Sequence, residues 1–170
     1  EIAQCLVGSE MCIRDSVHAA AIAAIYVVLT LVFAPFSFGE IQVRVSEALT
    51  ILPYFTPAAI PGLFVGCLIG NTVGGAIPID IICGSLATLI GAFITYSLRR
   101  HRMLAPVGPI AANTLIVPFV LRYGYSVPLP IPFMMLTVGI GEVISCAVIG
   151  MIVLTALERY RGILFKEAAA

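Results

Sequence analysis

The sequence predicts an all-α membrane protein, a six-transmembrane-helix bundle with an outward-facing pocket. Hydrophobic residues make up 61% of the 170-residue chain and charged residues only 11%, whereas soluble domains carry about a quarter charged residues. Ionisable residues nevertheless stand inside or beside the apolar runs, where they are costly and usually functional. Small residues also recur at helical spacing, which favours close packing of membrane helices.

The N-terminal segment EIAQCLVGSEMCIRDS differs from the rest of the chain. It is polar and aperiodic, and it lacks the basic-then-apolar layout of a signal peptide. The run LVGSEMCIRDS matches one reading frame of a common sequencing adaptor. We therefore expect residues 1–16 to be a non-native, adaptor-derived segment. A single six-helix transmembrane domain at 17–161 and a short cytoplasmic tail at 162–170 are expected to follow.

Proline and glycine set the limits of the predicted helices. The first helix is expected to end before Pro35, and alternating polarity at 41–45 predicts extended backbone. Ser46 suits the cap of the second helix. The predicted helices cover residues 17–33, 46–54, 58–73, 79–98, 106–121 and 131–158.

Basic residues follow the fourth and the sixth predicted helix. Cytoplasmic loops are enriched in lysine and arginine, so both chain termini are expected in the cytoplasm, and the loops after odd-numbered helices are expected outside. The basic residues are Arg99, Arg100, Arg102, Arg159, Arg161 and Lys166.

Polar residues are expected to line a pocket that opens outward. Glu142 stands about eleven residues, and therefore some 16 Å, into the last helix. The other polar residues fall at the outer ends or at mid-depth of their segments. Because unpaired polar groups are too costly in lipid, a pocket for a polar solute explains them. The candidates are Glu142, Asp80, Glu47, Arg44, Gln42, Asn71 and Asn113.

Most of these candidates also have a purely structural interpretation. Arg44 and Glu47 are three residues apart and suit an ion pair with each other. Asp80 suits a cap of the fourth helix. Asn71 and Asn113 suit hydrogen-bonded bridges between helices. The sequence leaves these alternatives open.

Small residues form two stripes. Glycine recurs at every fourth residue from Gly62 to Gly74, which predicts a ridge that packs closely against another helix; a hinge or a pocket-lining backbone is the alternative. The first helix has two overlapping AxxxA pairs, which suit either a seam within the bundle or a docking face for a separate membrane subunit. These alanines are Ala19, Ala20, Ala23 and Ala24.

Motifs for catalysis and for nucleotide binding are missing from the sequence. GxxxxGK[ST], HExxH, GxSxG and CxxC do not occur, so we expect neither an enzyme nor an ATPase. The cysteines lack metal-ligand spacing and are expected to be small buried hydrophobic residues. A stand-alone secondary carrier that uses Glu142 as a proton relay is compatible with the same residues.

Three segments are informative about the family: APFSFGEIQVRVSEALTILPYFTPAAIPGLFVGCLIGN, PIDIICGSLATLIGA and GEVISCAVIG. In these segments, and from Val17 to about Arg161, the chain resembles the queuosine-precursor transporter (QueT) family, most specifically in FGEIQVRVSEAL. The resemblance implies the substrate-binding S component of an energy-coupling-factor (ECF) transporter in a bacterial cytoplasmic membrane. It also implies partners: a transmembrane coupling protein, docked on the alanines of the first helix, and two cytoplasmic ATPase subunits.

The solute implied by the resemblance is a 7-deazaguanine such as preQ0, preQ1 or queuine. A carboxylate accepts the adjacent N–H donors of a guanine-like edge as a bidentate pair, for which Glu142, Asp80 and Glu47 are candidates in that order. An aminomethyl ammonium would require a second carboxylate. An S component for another small metabolite is the alternative. The aromatic residues expected to stack on the flat solute are Phe36, Phe38 or Tyr54.

Overall fold

The computed structural model describes the backbone of residues 2–37 and 43–160, and the side chains of residues 13–35 and 43–160. Over these ranges the chain forms helices and connecting loops, without a β-strand. The predicted all-α class is therefore confirmed. The helices are α1 (Ile2–Val32), α2 (Ala34–Ser37), a 3₁₀ helix (Val45–Tyr54), α3 (Ala59–Val73), α4 (Pro78–Ser97), a short 3₁₀ turn (Arg102–Leu104), α5 (Val107–Tyr123), α6 (Ile131–Glu142), a π-helical segment (Val143–Ile149) and α7 (Gly150–Arg159).

The described residues include 4 helical stretches that are long and apolar enough to cross a membrane. α3 is apolar but has only 15 residues. The 3₁₀ helix extends about 20 Å at its rise of ~2.0 Å per residue, which is less than the ~30 Å of a hydrocarbon core. The second predicted helix is therefore too short to be a full span. The four long stretches are Ile13–Val32, Pro78–Ser97, Arg102–Tyr123 and Ile131–Arg159.

Two boundaries near the N-terminus differ from those predicted. α1 begins at Ile2 and ends at Val32. Its helical backbone therefore includes residues 2–16, which belong to the segment predicted to be non-native. Arg44, and not Ser46, occupies the N-cap position of the 3₁₀ helix, and its side chain makes no capping hydrogen bond. The amide of Glu47 already bonds to the carbonyl of Arg44 at 2.9 Å, so the first turn closes earlier than expected. The Ser46 hydroxyl instead accepts a hydrogen bond from Thr30 at 2.9 Å.

The last predicted helix contains an irregularity that the sequence did not indicate. α6 ends at Glu142, and the π-helical segment separates it from α7. In this segment the amide of Gly150 bonds to the carbonyl of Ser145, five residues earlier. Such wide turns are rare and occur frequently at functional sites. Glu142 therefore stands directly at the start of a widened turn.

The long helices enclose the 3₁₀ helix. α1 packs on α3, α3 on α4, α4 on α5 and α5 on α6. The 3₁₀ helix contacts α1, α3, α4, α7 and the π-helical segment. Most of its residues are buried, among them Glu47. A segment too short to cross a membrane thus brings charged residues into the interior of the bundle.

The glycine ridge of α3 is the surface on which α1 packs. A Cβ atom at Gly62 would lie 2.6 Å from the carbonyl oxygen of Ala19. A Cβ atom at Gly66 would lie 2.9 Å from Cβ of Tyr26 and 3.0 Å from Cα of Ala23. Real Cβ atoms do not approach other atoms so closely, so only glycine permits this contact. The packing interpretation of the ridge therefore agrees with the structure.

The alanines of α1 divide between two sides of the helix. Ala23 is only 8% exposed and packs against α3, as does Ala19. Ala20 and Ala24 are exposed. Each follows a residue that packs on α3, and successive residues of a helix point about 100° apart at 3.6 residues per turn. The expectation that all four alanines form a docking face is therefore corrected. Ala19 and Ala23 form a seam within the bundle.

The contact between α1 and α3 predicts different effects of two alanine substitutions. Gly66→Ala should lower the free energy of unfolding by about 1–3 kcal/mol, since the backbones must separate to admit a methyl group. Gly139→Ala in α6 is the matched control, because its Cβ would lie at an ordinary 3.5 Å from Thr114. Thermal unfolding of both variants in detergent measures the difference. Equal stability of the two would contradict the close contact.

Candidate functional site

Six buried polar residues form one group, called the polar cluster below. Each is at most 6% exposed, although each comes from a different position along the chain. The structure thus brings together six of the candidates that the sequence predicted, while Gln42 lies outside the described residues. The members are Arg44 and Glu47 at the 3₁₀ helix, Asn71 on α3, Asp80 on α4, Asn113 on α5 and Glu142 on α6.

Asp80 forms one end of the polar cluster, in the first turn of α4. Its Oδ2 atom lies 3.9 Å from Nη2 of Arg44 and accepts a hydrogen bond from Tyr125 at 2.9 Å. Tyr125 also accepts a hydrogen bond from the amide of Ile77, at 3.3 Å. Ile77 is the N-cap of α4, and no side chain makes a capping hydrogen bond there. The alternative interpretation of Asp80 as a cap of this helix therefore does not agree with the structure.

Gly84 provides the space in which three members of the cluster meet. A Cβ atom there would lie 3.1 Å from Nδ2 of Asn71, 3.5 Å from Oδ1 of Asp80 and 3.9 Å from Nη1 of Arg44. Asn71 also donates to Sγ of Cys67 at 3.5 Å, within its own helix. The amide of Asn71 thus faces charged groups from two other segments. A larger residue at position 84 would occupy this space.

Glu47 is the most deeply buried member of the cluster, with 0% exposure. Its Oε1 atom accepts hydrogen bonds from the hydroxyl of Tyr26 on α1 and from Thr88 on α4, the latter at 3.2 Å. Its Oε2 atom has no hydrogen-bond partner among the described residues. Two helices therefore position the carboxylate through one oxygen and leave the other oxygen unsatisfied.

Glu142 lies next to Glu47, at the end of the cluster opposite Asp80. Sγ of Cys146 contacts Oε2 of Glu142 at 3.3 Å and the backbone oxygen of Glu47 at 3.5 Å. The side chain of Asn113 and the carboxylate of Glu47 also lie near enough to interact electrostatically with Glu142. Contacts therefore connect the cluster from Asp80 on α4 to Asn113 on α5.

Arg44 supplies positive charge within the cluster. Burial disfavours the charged guanidinium, but the combined attraction of Asp80 and of the neighbouring groups Cys67, Tyr26 and Glu47 outweighs it and raises the pKa of Arg44 above its ordinary value. Arg44 therefore stays cationic. The sequence left open a pair between Arg44 and Glu47; in the structure Arg44 pairs with Asp80, and hydroxyl groups hold the Glu47 carboxylate.

Several residues that contact the cluster were not singled out in the sequence. Tyr26 lies seven residues after Ala19 and Thr88 eight after Asp80, so helical periodicity would have placed both on the inner faces. Cys146, which was expected to be an ordinary buried hydrophobic residue, contacts both acidic residues. Tyr125 follows α5 in a loop and shows no periodic signal.

The residues expected to stack on a flat solute are not part of the described cluster. The ring of Tyr54 packs edge-to-face on Phe55, with ring centroids 5.1 Å apart. Phe55 belongs to the apolar core with Leu52 and Leu63, and Tyr54 lies against that core. The side chains of Phe36 and Phe38 lie outside the described residues.

Comparison with known proteins identifies the family. The model of the family described as "QueT transporter" matches residues 16–159, most of the chain. The chain belongs to the QueT transporter family. The resemblance seen in the sequence is thereby confirmed. Together with the four apolar stretches, membership of this transporter family makes the chain a multi-pass membrane protein.

One relative in the QueT family comes from Lactococcus lactis subsp. cremoris (strain MG1363). It is named "Queuosine precursor transporter QueT" and is 38% identical over 78 residues. This match covers 45% of the present chain and 46% of the relative, so the chain spans about half the length of the relative it matches. No solved structure matches the chain.

The contacts of Glu47 predict a loss of stability in Tyr26→Phe. Removal of this hydroxyl takes one of two donors from a buried carboxylate, so the free energy of unfolding should fall by about 1–3 kcal/mol. Tyr123→Phe is the control, because Tyr123 is 73% exposed and its change should stay within about 0.5 kcal/mol. Thermal unfolding in detergent measures both. A Tyr26→Phe variant as stable as the control would argue against this hydrogen bond.

Proposed function

We propose that the chain is the substrate-binding S component of an ECF-type transporter, and that it imports a queuosine precursor of the 7-deazaguanine class. The convergence of the polar cluster inside an apolar bundle is the observation that supports this function most strongly. Buried polar groups that cannot contact water are stabilised only by hydrogen-bond partners. A hydrogen-bonding solute provides such partners for side chains that the protein leaves incompletely paired.

In this proposal, Glu142 and Asn113 recognise the guanine-like edge of the solute. The carboxylate of Glu142 accepts two adjacent N–H groups as a bidentate pair, and the amide of Asn113 offers both a donor and an acceptor beside it. Asn71 and Arg44 face the same cluster and are suited to a carbonyl oxygen and ring nitrogens. The name of the Lactococcus relative, a queuosine precursor transporter, supports this class of solute.

The proposed pocket opens outward from a bacterial cytoplasmic membrane, and both chain termini lie in the cytoplasm. The basic residues Arg99, Arg100 and Arg102 after α4 and Arg159 at the end of α7 support this orientation. Asp80 lies in the first turn of α4, and Tyr125 lies just after the end of α5. Both are therefore at the ends of these helices that are far from the arginines. A solute from outside would therefore meet this end of the cluster before it reaches Glu142.

The proposed partners are a transmembrane coupling protein and two cytoplasmic ATPase subunits. The sequence has no phosphate-binding loop of its own, so hydrolysis by partners would supply the energy. Ala20 and Ala24 support a docking surface on α1, because small exposed side chains let another helix approach closely. The bulkier exposed residues Ile25 and Val28 lie beside them.

The proposal predicts that Glu142→Ala abolishes solute binding by the purified chain. Loss of a charged, bidentate acceptor should weaken the affinity for preQ1 about 100-fold or more, since each hydrogen bond to a charged group contributes ~1.5–3 kcal/mol. Calorimetric titration in detergent measures the affinity. Glu158→Ala is the matched control, because Glu158 pairs with Arg102 at 3.0 Å outside the cluster. Ordinary affinity in a folded Glu142→Ala variant would remove this residue from the site.

A second prediction concerns energy coupling. In proteoliposomes that contain the chain with its coupling protein and ATPases, solute uptake should require ATP. Ala24→Leu should reduce both co-purification of the coupling protein and uptake at least tenfold while solute binding persists. Ala111→Leu, at an exposed alanine of α5, should leave both unchanged. Uptake without partners or ATP would instead indicate a stand-alone carrier.

A further inference from the structure

A surface groove of about 560 Å³ runs along α7, and its lining includes no member of the polar cluster. The lining residues stand one, four, five and eight positions after Met151, so they share one face of the helix. The groove is apolar along most of its length and ends in a guanidinium group. It is lined by Met151, Ile152, Thr155, Ala156 and Arg159.

The length of the groove is close to that of one membrane leaflet. From Met151 to Arg159 the helix rises about 12 Å, and half of a hydrocarbon core measures ~15 Å. The groove belongs to the apolar stretch Ile131–Arg159, and Ile152 within it is 64% exposed. Tyr160 follows it and is 53% exposed, and tyrosine is enriched at membrane–water interfaces. A molecule in the groove would therefore extend from the headgroup level into the hydrocarbon.

Positive charge is concentrated at the Arg159 end of the groove. Residues 98–106, after α4, and residues 153–160, at the end of α7, carry four arginines and one glutamate, which leaves a net charge of +3. Arg159 forms no ion pair with any residue of the described ranges. The charged residues are Arg99, Arg100, Arg102, Glu158 and Arg159.

Arg102 connects the turn after α4 to the groove. Its Nη1 atom lies 3.0 Å from Glu158, and its Nη2 atom donates to the hydroxyl of Thr155 at 2.6 Å. Thr155 lines the groove, so this guanidinium is held beside it, and 41% of the Arg102 side chain stays exposed. Because Arg159 stands four residues after Thr155, both arginines lie at the same end of the groove.

We propose that this groove binds an anionic phospholipid. The phosphate is bound by Arg159 and by the exposed N–H groups of Arg102, since arginine is always charged and binds phosphate through paired hydrogen bonds. One acyl chain lies along Met151, Ile152 and Ala156. A helix of another protein would also cover an apolar groove, but a phospholipid matches the leaflet-long apolar part and the cationic end together.

The lipid site does not depend on which solute the polar cluster binds. Only the choice of leaflet uses the membrane orientation proposed above, which places the arginines in the cytoplasm and the bound lipid in the inner leaflet.

The test compares two lipids that have the same acyl chains. Purified full-length protein in detergent is mixed with dioleoylphosphatidylglycerol, which is anionic, or with dioleoylphosphatidylcholine, which is zwitterionic. Native mass spectrometry measures the bound fraction of each. The unaltered protein should retain the anionic lipid at least about fivefold better, the factor that one basic residue contributes near an anionic surface. Glycerol phosphate at the same concentration should not displace it, because this anion lacks acyl chains.

Three variants assign the binding to the groove, and thermal unfolding verifies that each is folded. Arg159→Gln should abolish most of the preference for the anionic lipid and leave retention of the zwitterionic lipid unchanged. Ala156→Trp should reduce retention of both lipids, because the indole ring fills the groove. Arg122→Gln is the matched control, since it removes the same charge at the other end of α5 and should change neither.

Four results would overturn the proposal. They are equal retention of the two lipids by the unaltered protein, displacement by glycerol phosphate, a preference that persists in folded Arg159→Gln protein, and a preference that is lost in Arg122→Gln instead. An Ala156→Trp variant that retains both lipids but no longer assembles with the coupling protein would assign the groove to that partner. The measurement contains no solute, so failure of the lipid site and failure of the proposed function are separate results.

Discussion

The burial of the Glu47 carboxylate is the constraint on which the arrangement of the bundle depends. A charge at 0% exposure must receive hydrogen bonds from the protein, because neither lipid nor an apolar core provides them. Tyr26 and Thr88 provide these bonds from α1 and α4, so both helices are fixed relative to the short 3₁₀ helix between them. One acidic side chain thereby determines how three segments lie with respect to one another.

Close backbone contact between α1 and α3 makes this network possible. Gly66 allows Ala23 and Tyr26 to lie directly on α3, and this position brings the phenol of Tyr26 to Glu47. The small-residue ridge and the polar cluster are therefore parts of one arrangement. Helices in a membrane gain little hydrophobic energy from association, so close packing and buried hydrogen bonds must together hold them.

The apolar runs of the sequence, and the depth of each polar residue within its run, were sufficient to predict the helical class and the convergence of six polar residues. These features depend on the length of an apolar run and on the rise of 1.5 Å per residue, both of which can be counted in the sequence. The role of the alanines was only half predicted, because the sequence does not show that α3 packs on Ala23 and leaves Ala24 exposed. The π-helical segment was not predicted, because an extra residue in a turn leaves no compositional signal. The 3₁₀ helix Val45–Tyr54 contacts five other segments, and such tertiary contacts are not visible in a local sequence pattern.

The π-helical segment after Glu142 has a geometric consequence for the whole last span. A wide turn contains one residue more than an α-helical turn, and one residue corresponds to about 100° of rotation. The wide turn therefore changes the direction in which Glu142 points relative to Leu154, which is buried in the core. Shortening Val143–Ile149 by a single residue would preserve a continuous helix yet turn either the acidic group or the apolar anchor away from the interior.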